Sequence, residues 1–260
     1  MLLTYLIIFI TGVCVSFIST LFGLGGGIIM VPILSLILPY SHLEAIATSL
    51  ATIVLVATFN TYNFNRKGVI IWGIVPWIAL TSSLFAFLSA RISTYLPEKI
   101  LIALFILFLL WVALRTFLIK ESRDQRQTKN VHRILPLGIG SLSGIISGMT
   151  GIGGGGITTP LMLISGLVRN IQAAPTSNAI MIFTTLFATI SFATAKSDLS
   201  NQFTVGYIHY DTALLLFLAS ALFSRIGVKI NQSFSLFWRK TVLAALLLFI
   251  CIRLLFMLLK

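Results

Sequence analysis

The first 43 residues of the chain contain no Asp, Glu, Lys or Arg, and the pattern recurs to its end. Charge-free stretches cover 45–65, 68–90, 100–114, 134–168, 170–195, 212–224 and 241–252. A helix needs about 20 apolar residues to cross a hydrocarbon layer, and an ionisable side chain at depth is expensive. These stretches are therefore expected to be membrane-spanning helices. Barrel strands would be about ten residues long, with alternating polarity. Composition agrees: 9% of residues are charged and mean hydropathy is +1.05, whereas a soluble domain carries roughly 25% charged residues. Twenty Phe suit a lipid-facing exterior. Cytosolic enzymes, nucleic-acid modules and disulfide scaffolds are excluded.

The net charge of +12 reflects basic residues between apolar runs, where the positive-inside rule puts them, and not a nucleic-acid surface. Cys14 and Cys251 lie inside apolar segments and read as reduced thiols. There is no zinc-type spacing, so no metal and no cofactor is expected. The N-terminus lacks the basic region of a cleaved signal peptide. His42 and His132 read as loop residues.

The two halves are related. Residues 22–32, FGLGGGIIMVP, align with residues 150–160, TGIGGGGITTP, with six of eleven positions identical. The same offset of 128 carries Ala45, Thr48 and Ser49 onto Ala173, Thr176 and Ser177. Further on, Gly68 pairs with Gly206 and Arg91 with Arg225. The organisation expected is a first transmembrane repeat over 1–119, a basic cytoplasmic linker over 120–133 and a second transmembrane repeat over 134–260. Each repeat opens on an apolar stretch broken by glycines. Residues 134–147 and 157–168, either side of Gly148–Gly156, are each too short to span. The fold class expected is an all-α polytopic membrane protein of two inverted repeats. Each repeat is a glycine-interrupted helical hairpin or broken helix pair followed by three transmembrane helices.

Charge counting supports the inversion. With the linker inside and an even number of crossings per hairpin, 13 of the 18 Lys and Arg fall inside and both termini face out. A single crossing per opening segment makes the repeats parallel and gives 11 inside and 7 outside. Inverted repeats with broken helices are a recurring transporter plan.

The glycine loops are the strongest site candidates. A glycine turn that opens a helix leaves backbone N–H groups free, lets a ligand approach closely and places about half a positive charge beside it. This arrangement holds anions without a buried cation. The candidate substrate-binding residues are Gly23, Gly25, Gly26 and Gly27, with Gly151, Gly153, Gly154 and Gly155. Thr48, Ser49, Thr176, Ser177 and Asn178 follow at matched distances and supply uncharged donors. Thr150 and Thr158 flank the second loop only. Glycine packing between helices and hydroxyls bonded to helix carbonyls are the structural alternatives. Arg91, Arg225, Glu44 and Asp211 are the gating or coupling candidates. Glu44, Asp211 and His209 also suit helix starts, with a proton-relay role as the alternative, and no single acid is expected to be indispensable in the way a proton pump's buried carboxylate is. Catalytic constellations are absent, and the glycine loops lack the strand–turn–helix context of a dinucleotide fingerprint.

The duplicated glycine loops with Pro32 and Pro160, followed by Ala45-x-x-Thr48-Ser49 and Ala173-x-x-Thr176-Ser177, resemble the TauE/SafE family, also called the 4-toluene sulfonate uptake permeases. The resemblance covers essentially the whole chain. It implies a bacterial inner-membrane secondary carrier, not an enzyme, for sulfur-containing or organic anions such as sulfite and sulfonates. The partners implied are a small anion and the lipid bilayer, with a homodimer as a candidate assembly and no nucleic acid. Leu50 stands where the second repeat has Asn178, and Phe22 where it has Thr150, so the first half of the site is less polar. A channel, or a lipid-handling membrane protein without a carrier cycle, is the alternative reading. An inward-negative potential favours anion export, so uptake needs a co-transported cation or proton.

Overall fold

A computed structural model describes residues 2–22, 26–118, 134–197, 203–233 and 236–259. The helices of the first half are α1 (Leu2–Phe22), α2 (Gly27–Leu36), α3 (His42–Asn65), α4 (Val75–Ser93) and α5 (Glu98–Leu118). Those of the second half are α6 (Ile134–Thr150), α7 (Gly155–Ile164), α8 (Asn170–Ala193), α9 (Tyr210–Ser233) and α10 (Leu236–Leu259). Between α8 and α9, β1 (Thr204–Val205) and β2 (Ile208–His209) pair as a short antiparallel hairpin. The chain is an all-α polytopic membrane protein. The linker 120–133, Gly23 and Gly25 lie outside the described residues.

Local chemistry sets the helix boundaries. Ser41 caps α3, its hydroxyl accepting the Glu44 N–H at 3.3 Å, and the Glu44 charge favours that helix start. Gln172 accepts the Arg169 N–H at 3.2 Å where α8 begins. α2 and α7 begin differently. Their N-caps are Gly26 (φ 78°) and Gly154 (φ 79°), both left-handed and without a side-chain cap. Only glycine adopts that conformation without strain. Both helices are ten residues long, about 15 Å or half the hydrocarbon thickness. Neither crosses alone. By contrast α3, α4 and α8 are long and apolar enough to span.

The repeat is visible in the bounds. Adding 128 to both ends of α2 and α3 gives α7 and α8. Gly68 and Gly206 are matched left-handed turn residues, φ 65° and 59°. Side-chain hydrogen bonds fix the relative directions. Ser82 and Thr184 meet at 2.7 Å and Ser191 donates to Phe87 O at 3.0 Å, so α4 and α8 run parallel. Thr176, near the start of α8, meets Ile71 just beyond the end of α3. Thr48, near the start of α3, meets His209 of the hairpin that folds back on the end of α8, where the Tyr207 N–H donates to Phe192 O at 3.4 Å. The equivalent helices α3 and α8 are therefore antiparallel, and the repeats are inverted.

The halves also exchange partners. α6 lies along α4, and α1 lies along α9. Gly140, Gly144 and Gly148 form a stripe on α6 against Ile78, Ser82 and Ala86 of α4. Glycine at every fourth position lets two backbones approach. Gly148 thus belongs to this helix contact, and α6 runs on to Thr150 where the sequence suggests a loop from Gly148. His42 also differs from its expected loop placement: it opens α3 and is fully buried, its ring edge-on to Phe105. Toward the outside, Trp72, Leu84, Phe87, Phe183, Phe187 and Ile190 line an apolar groove of about 920 Å³ between α4 and α8. That groove is lipid-facing by composition and contains none of the candidate site residues.

Candidate functional site

The start of α7 gathers the most suggestive groups. In a helix the first N–H groups have no intrahelical acceptor, and here Gly154 supplies no side-chain cap. Ser143 and Ser147, one turn apart on α6, face this point. A Cβ on Gly154 would lie 3.6 Å from that of Ser143 and 3.7 Å from that of Ser147. Ser177 of α8 closes the other side, its Oγ 3.5 Å from a Cβ built on Gly155. Ser147 and Ser177 are fully buried, and neither hydroxyl has a hydrogen-bond partner among the described residues. A buried donor left unpaired costs about 1–3 kcal/mol. Two such donors lie beside one helix N-terminus, and the Met181 sulfur also packs there, 2.5 Å from a Cβ built on Gly155.

Of the other hydroxyls near the loop, Thr159 Oγ1 is also buried without a partner among the described residues, and three are occupied. Thr158 donates to Gly154 O at 3.0 Å, Thr150 to Ile146 O at 2.6 Å and Ser143 to Gly140 O at 3.1 Å. Gly153 (φ 81°) lies under Ile53 and Met181, which a Cβ would approach to 3.0 and 3.1 Å.

The two glycine loops touch. Gly27 packs against the Gly151 carbonyl, and a Cβ on it would come within 2.7 Å of Ile152 Cα. Ser49 donates to that same carbonyl at 2.9 Å. Gly151 (φ 73°) sits beneath Ile46 and Val31 of the first repeat, each 2.9 Å from a Cβ placed there. The start of α2 therefore meets the backbone of the second loop.

Thr48 and Thr176 stitch the repeats together. Thr48 accepts the His209 N–H at 3.2 Å, and Thr176 accepts the Ile71 N–H at 3.1 Å. Asn178 donates to Ala174 O at 2.8 Å and accepts from Asn60 at 3.4 Å. Of the five polar residues Thr48, Ser49, Thr176, Ser177 and Asn178, Ser177 is the one whose side chain has no partner among the described residues.

The gating candidates separate. Arg91 lies half-buried in the last turn of α4. Arg225 falls within α9, its side chain outside the described residues. Asp211 is in the first turn of α9 and accepts from Thr212 Oγ1 at 3.4 Å. Glu44 does sit at a helix start, and its Oε2 is also 3.2 Å from His209 Nε2. Tyr40 stacks on that imidazole, with centroids 4.1 Å apart, and shares a 2.7 Å hydrogen bond with Thr212. Burial raises the Tyr40 phenol above its ordinary pKa, against the lowering effect of the Thr212 hydrogen bond.

Sequence reasoning missed Ser143, Ser147 and Tyr40 as site residues, and it read His209, with Glu44 and Asp211, as a helix-start residue with a proton relay as the alternative. Ser143-x-x-x-Ser147 was readable as a polar face on the helix entering the loop. Nothing in the sequence marks the pairing of Glu44 with His209, which spans 165 positions.

A family model described as "Sulfite exporter TauE/SafE" matches residues 8–254. A probable membrane transporter protein of Haemophilus influenzae is 34% identical over 191 residues, 69% of this chain and 68% of its own. One from Methanocaldococcus jannaschii is 26% identical over 236 residues, covering 88% and 87% of the two chains. Another, from Xylella fastidiosa, is 27% identical over 209 residues, covering 76% and 78%. No solved structure matches the chain.

Proposed function

We propose an anion-carrier function for this chain, which belongs to the sulfite exporter TauE/SafE family of membrane transporters. Its substrate is a small oxyanion of the sulfite or sulfonate class, held at the start of α7. The observation that carries this reading is the placement of Ser147 and Ser177, with hydroxyls buried and without partners among the described residues, beside a glycine-capped helix N-terminus. A sulfonate presents three oxygens spread around one sulfur. The N–H groups of Gly155 and Gly156 serve one side, and the two hydroxyls serve the others. None of these donors is a full charge, so the anion is held by dipoles and released without breaking an ion pair. A carrier needs that balance at each end of its cycle. The first repeat packs on the second loop through Gly27 and through Ser49 of α3, which meet the Gly151 carbonyl.

The setting proposed is the plasma membrane of a prokaryote, with repeats 1–119 and 134–260 joined by a cytoplasmic linker. The test is uptake of a panel of labelled anions by the purified chain in liposomes. A carrier saturates and shows counterflow, with sulfite or a sulfonate competing best. Flux that neither saturates nor shows counterflow identifies a channel, and a panel with no transported oxyanion defeats the reading.

A further inference from the structure

Apart from the glycine site, one cluster of titratable groups joins the two repeats. Glu44 of α3 and His209 of β2 form the single ion pair among the described residues, with side chains 14% and 10% exposed. The imidazole is held on three sides. Tyr40 stacks on its face at 12°, Glu44 meets its Nε2, and Thr48 fixes its backbone N–H. Tyr40 is anchored in turn by Thr212 of α9. The surrounding titratable groups are mostly acidic or neutral. Asp211 faces Tyr40 from α9 and Tyr5 from α1. His42 is buried near by on α3, and its backbone N–H donates to Glu98 of α5. Lys196, on the connection from α8, is exposed.

We infer that Glu44 and His209 together bind one proton, the co-transported ion of the carrier, and that this site exists at only one of the two symmetry-related docking points. The inference rests on the anion-carrier reading given above. Its argument is the comparison between the two docking points. At the second, Thr176 accepts the Ile71 N–H just as Thr48 accepts that of His209. Shifting Glu44 by 128 gives Gln172, and shifting His209 back by 138 gives Ile71. The docking hydrogen bond is present at both points, and the titratable pair at one. Docking therefore does not require the pair. Imidazole changes charge between about pH 5 and 8. The Nε2–H of the neutral imidazole donates to the Glu44 carboxylate, so a proton taken from water onto the other ring nitrogen turns a pair of net charge −1 into a neutral one, and one proton returns to water on release. The added positive charge lies beside Thr48, next to Ser49, which is bonded to the second glycine loop. Proton occupancy thus favours an anion in the cradle, and by reciprocity the anion favours the proton. One proton per monovalent anion also makes inward transport electroneutral.

The experiment uses the full chain in liposomes with trapped pyranine and labelled methanesulfonate. This anion stays ionised across pH 5–8, so any pH dependence belongs to the protein. Expected for the wild type is uptake about tenfold faster at pH 6 than at pH 8, with internal acidification. In Glu44→Gln and His209→Gln, both the pH dependence and the acidification are lost. Anion-for-anion counterflow continues in them, at a rate indifferent to pH. Glu98→Gln, a control acid, keeps the wild-type profile. Persistence of pH dependence and acidification in both pair variants overturns the proton site and leaves the carrier reading intact. A wild type that moves methanesulfonate without protons does the same. A wild type that moves no oxyanion overturns the carrier reading, and the coupling with it.

Discussion

Thr176 and Ser177 are neighbours in sequence with opposite duties, and the difference is a matter of direction. Successive residues on a helix point about 100° apart. Thr176 faces the Ile71 N–H, while Ser177 faces the start of α7. The doubled Thr-Ser motif was legible as a candidate site from its matched positions, but spacing alone does not say which hydroxyl turns toward the cavity. The two predictions diverge accordingly. Ser177→Ala and Ser147→Ala each remove a donor to a charged ligand, worth about 1.5–3 kcal/mol, or roughly 10- to 150-fold in anion affinity. Neither hydroxyl has a partner to orphan among the described residues, so melting temperature should hold. Thr176→Val instead leaves the Ile71 N–H unpaired and should lower stability by about 1–3 kcal/mol, with little direct effect on anion affinity. Titration calorimetry beside thermal melting checks both. If Ser177→Ala binds the anion as the wild type does, that hydroxyl is not part of the cradle.

The helices were legible wherever charge was absent over a full span, and α3 and α8 are recovered almost at the bounds of their charge-free stretches. The half-helices α2 and α7 were legible too, because a left-handed cap can be written only with glycine at Gly26 and Gly154. What remained hidden was the purpose of the remaining glycines. Gly148 reads like the first residue of a loop but faces Ala86 and Ser89 of α4. Gly12 in α1, unmarked by any motif, would place a Cβ 2.6 Å from that of Ala219 in α9. A glycine's neighbours lie on another helix, and periodicity within one helix does not name them. The stripe carries its own prediction. A Cβ on Gly144 would meet the Ser82 carbonyl and lie 3.0 Å from the Ala86 nitrogen. These backbone atoms cannot rotate away. Gly144→Ala should therefore separate α4 from α6 and destabilise the protein by about 1–3 kcal/mol. Gly138, on the same helix with nothing within 4 Å of a built Cβ, is the control. There alanine should stabilise by about 0.5–1 kcal/mol through helix propensity. Melting in detergent decides, and equal effects at the two positions would mean that the close approach is not what holds the stripe.

At the scale of the whole molecule, inversion and orientation are separate questions with different evidence. From sequence alone, inversion rested on a margin of 13 inward basic residues against 11 for the parallel arrangement. Contacts between the repeats now carry it. If each opening segment crossed once, the starts of α3 and α9 would lie on opposite faces, and Glu44 could not meet His209 at 3.2 Å. The second pairing, Thr176 with Ile71, requires the starts of α8 and α4 to share the other face. No contact of this kind says which face is cytoplasmic, so orientation still depends on charge. Arg66, Lys67 and Arg169 lie on the face where α8 begins, and the positive-inside rule predicts that this face is the inner one. The proton site then opens outward, where a proton enters with an incoming anion. Single cysteines in a background without Cys14 and Cys251 test this. A membrane-impermeant maleimide should label Tyr95→Cys, at an exposed position just beyond α4, in intact cells. It should label Lys129→Cys only after the membrane is opened. The reverse result would turn the molecule over and place the Glu44–His209 pair on the cytoplasmic side. The inversion would stand, because the hydrogen bonds between the repeats do not depend on which way the protein faces.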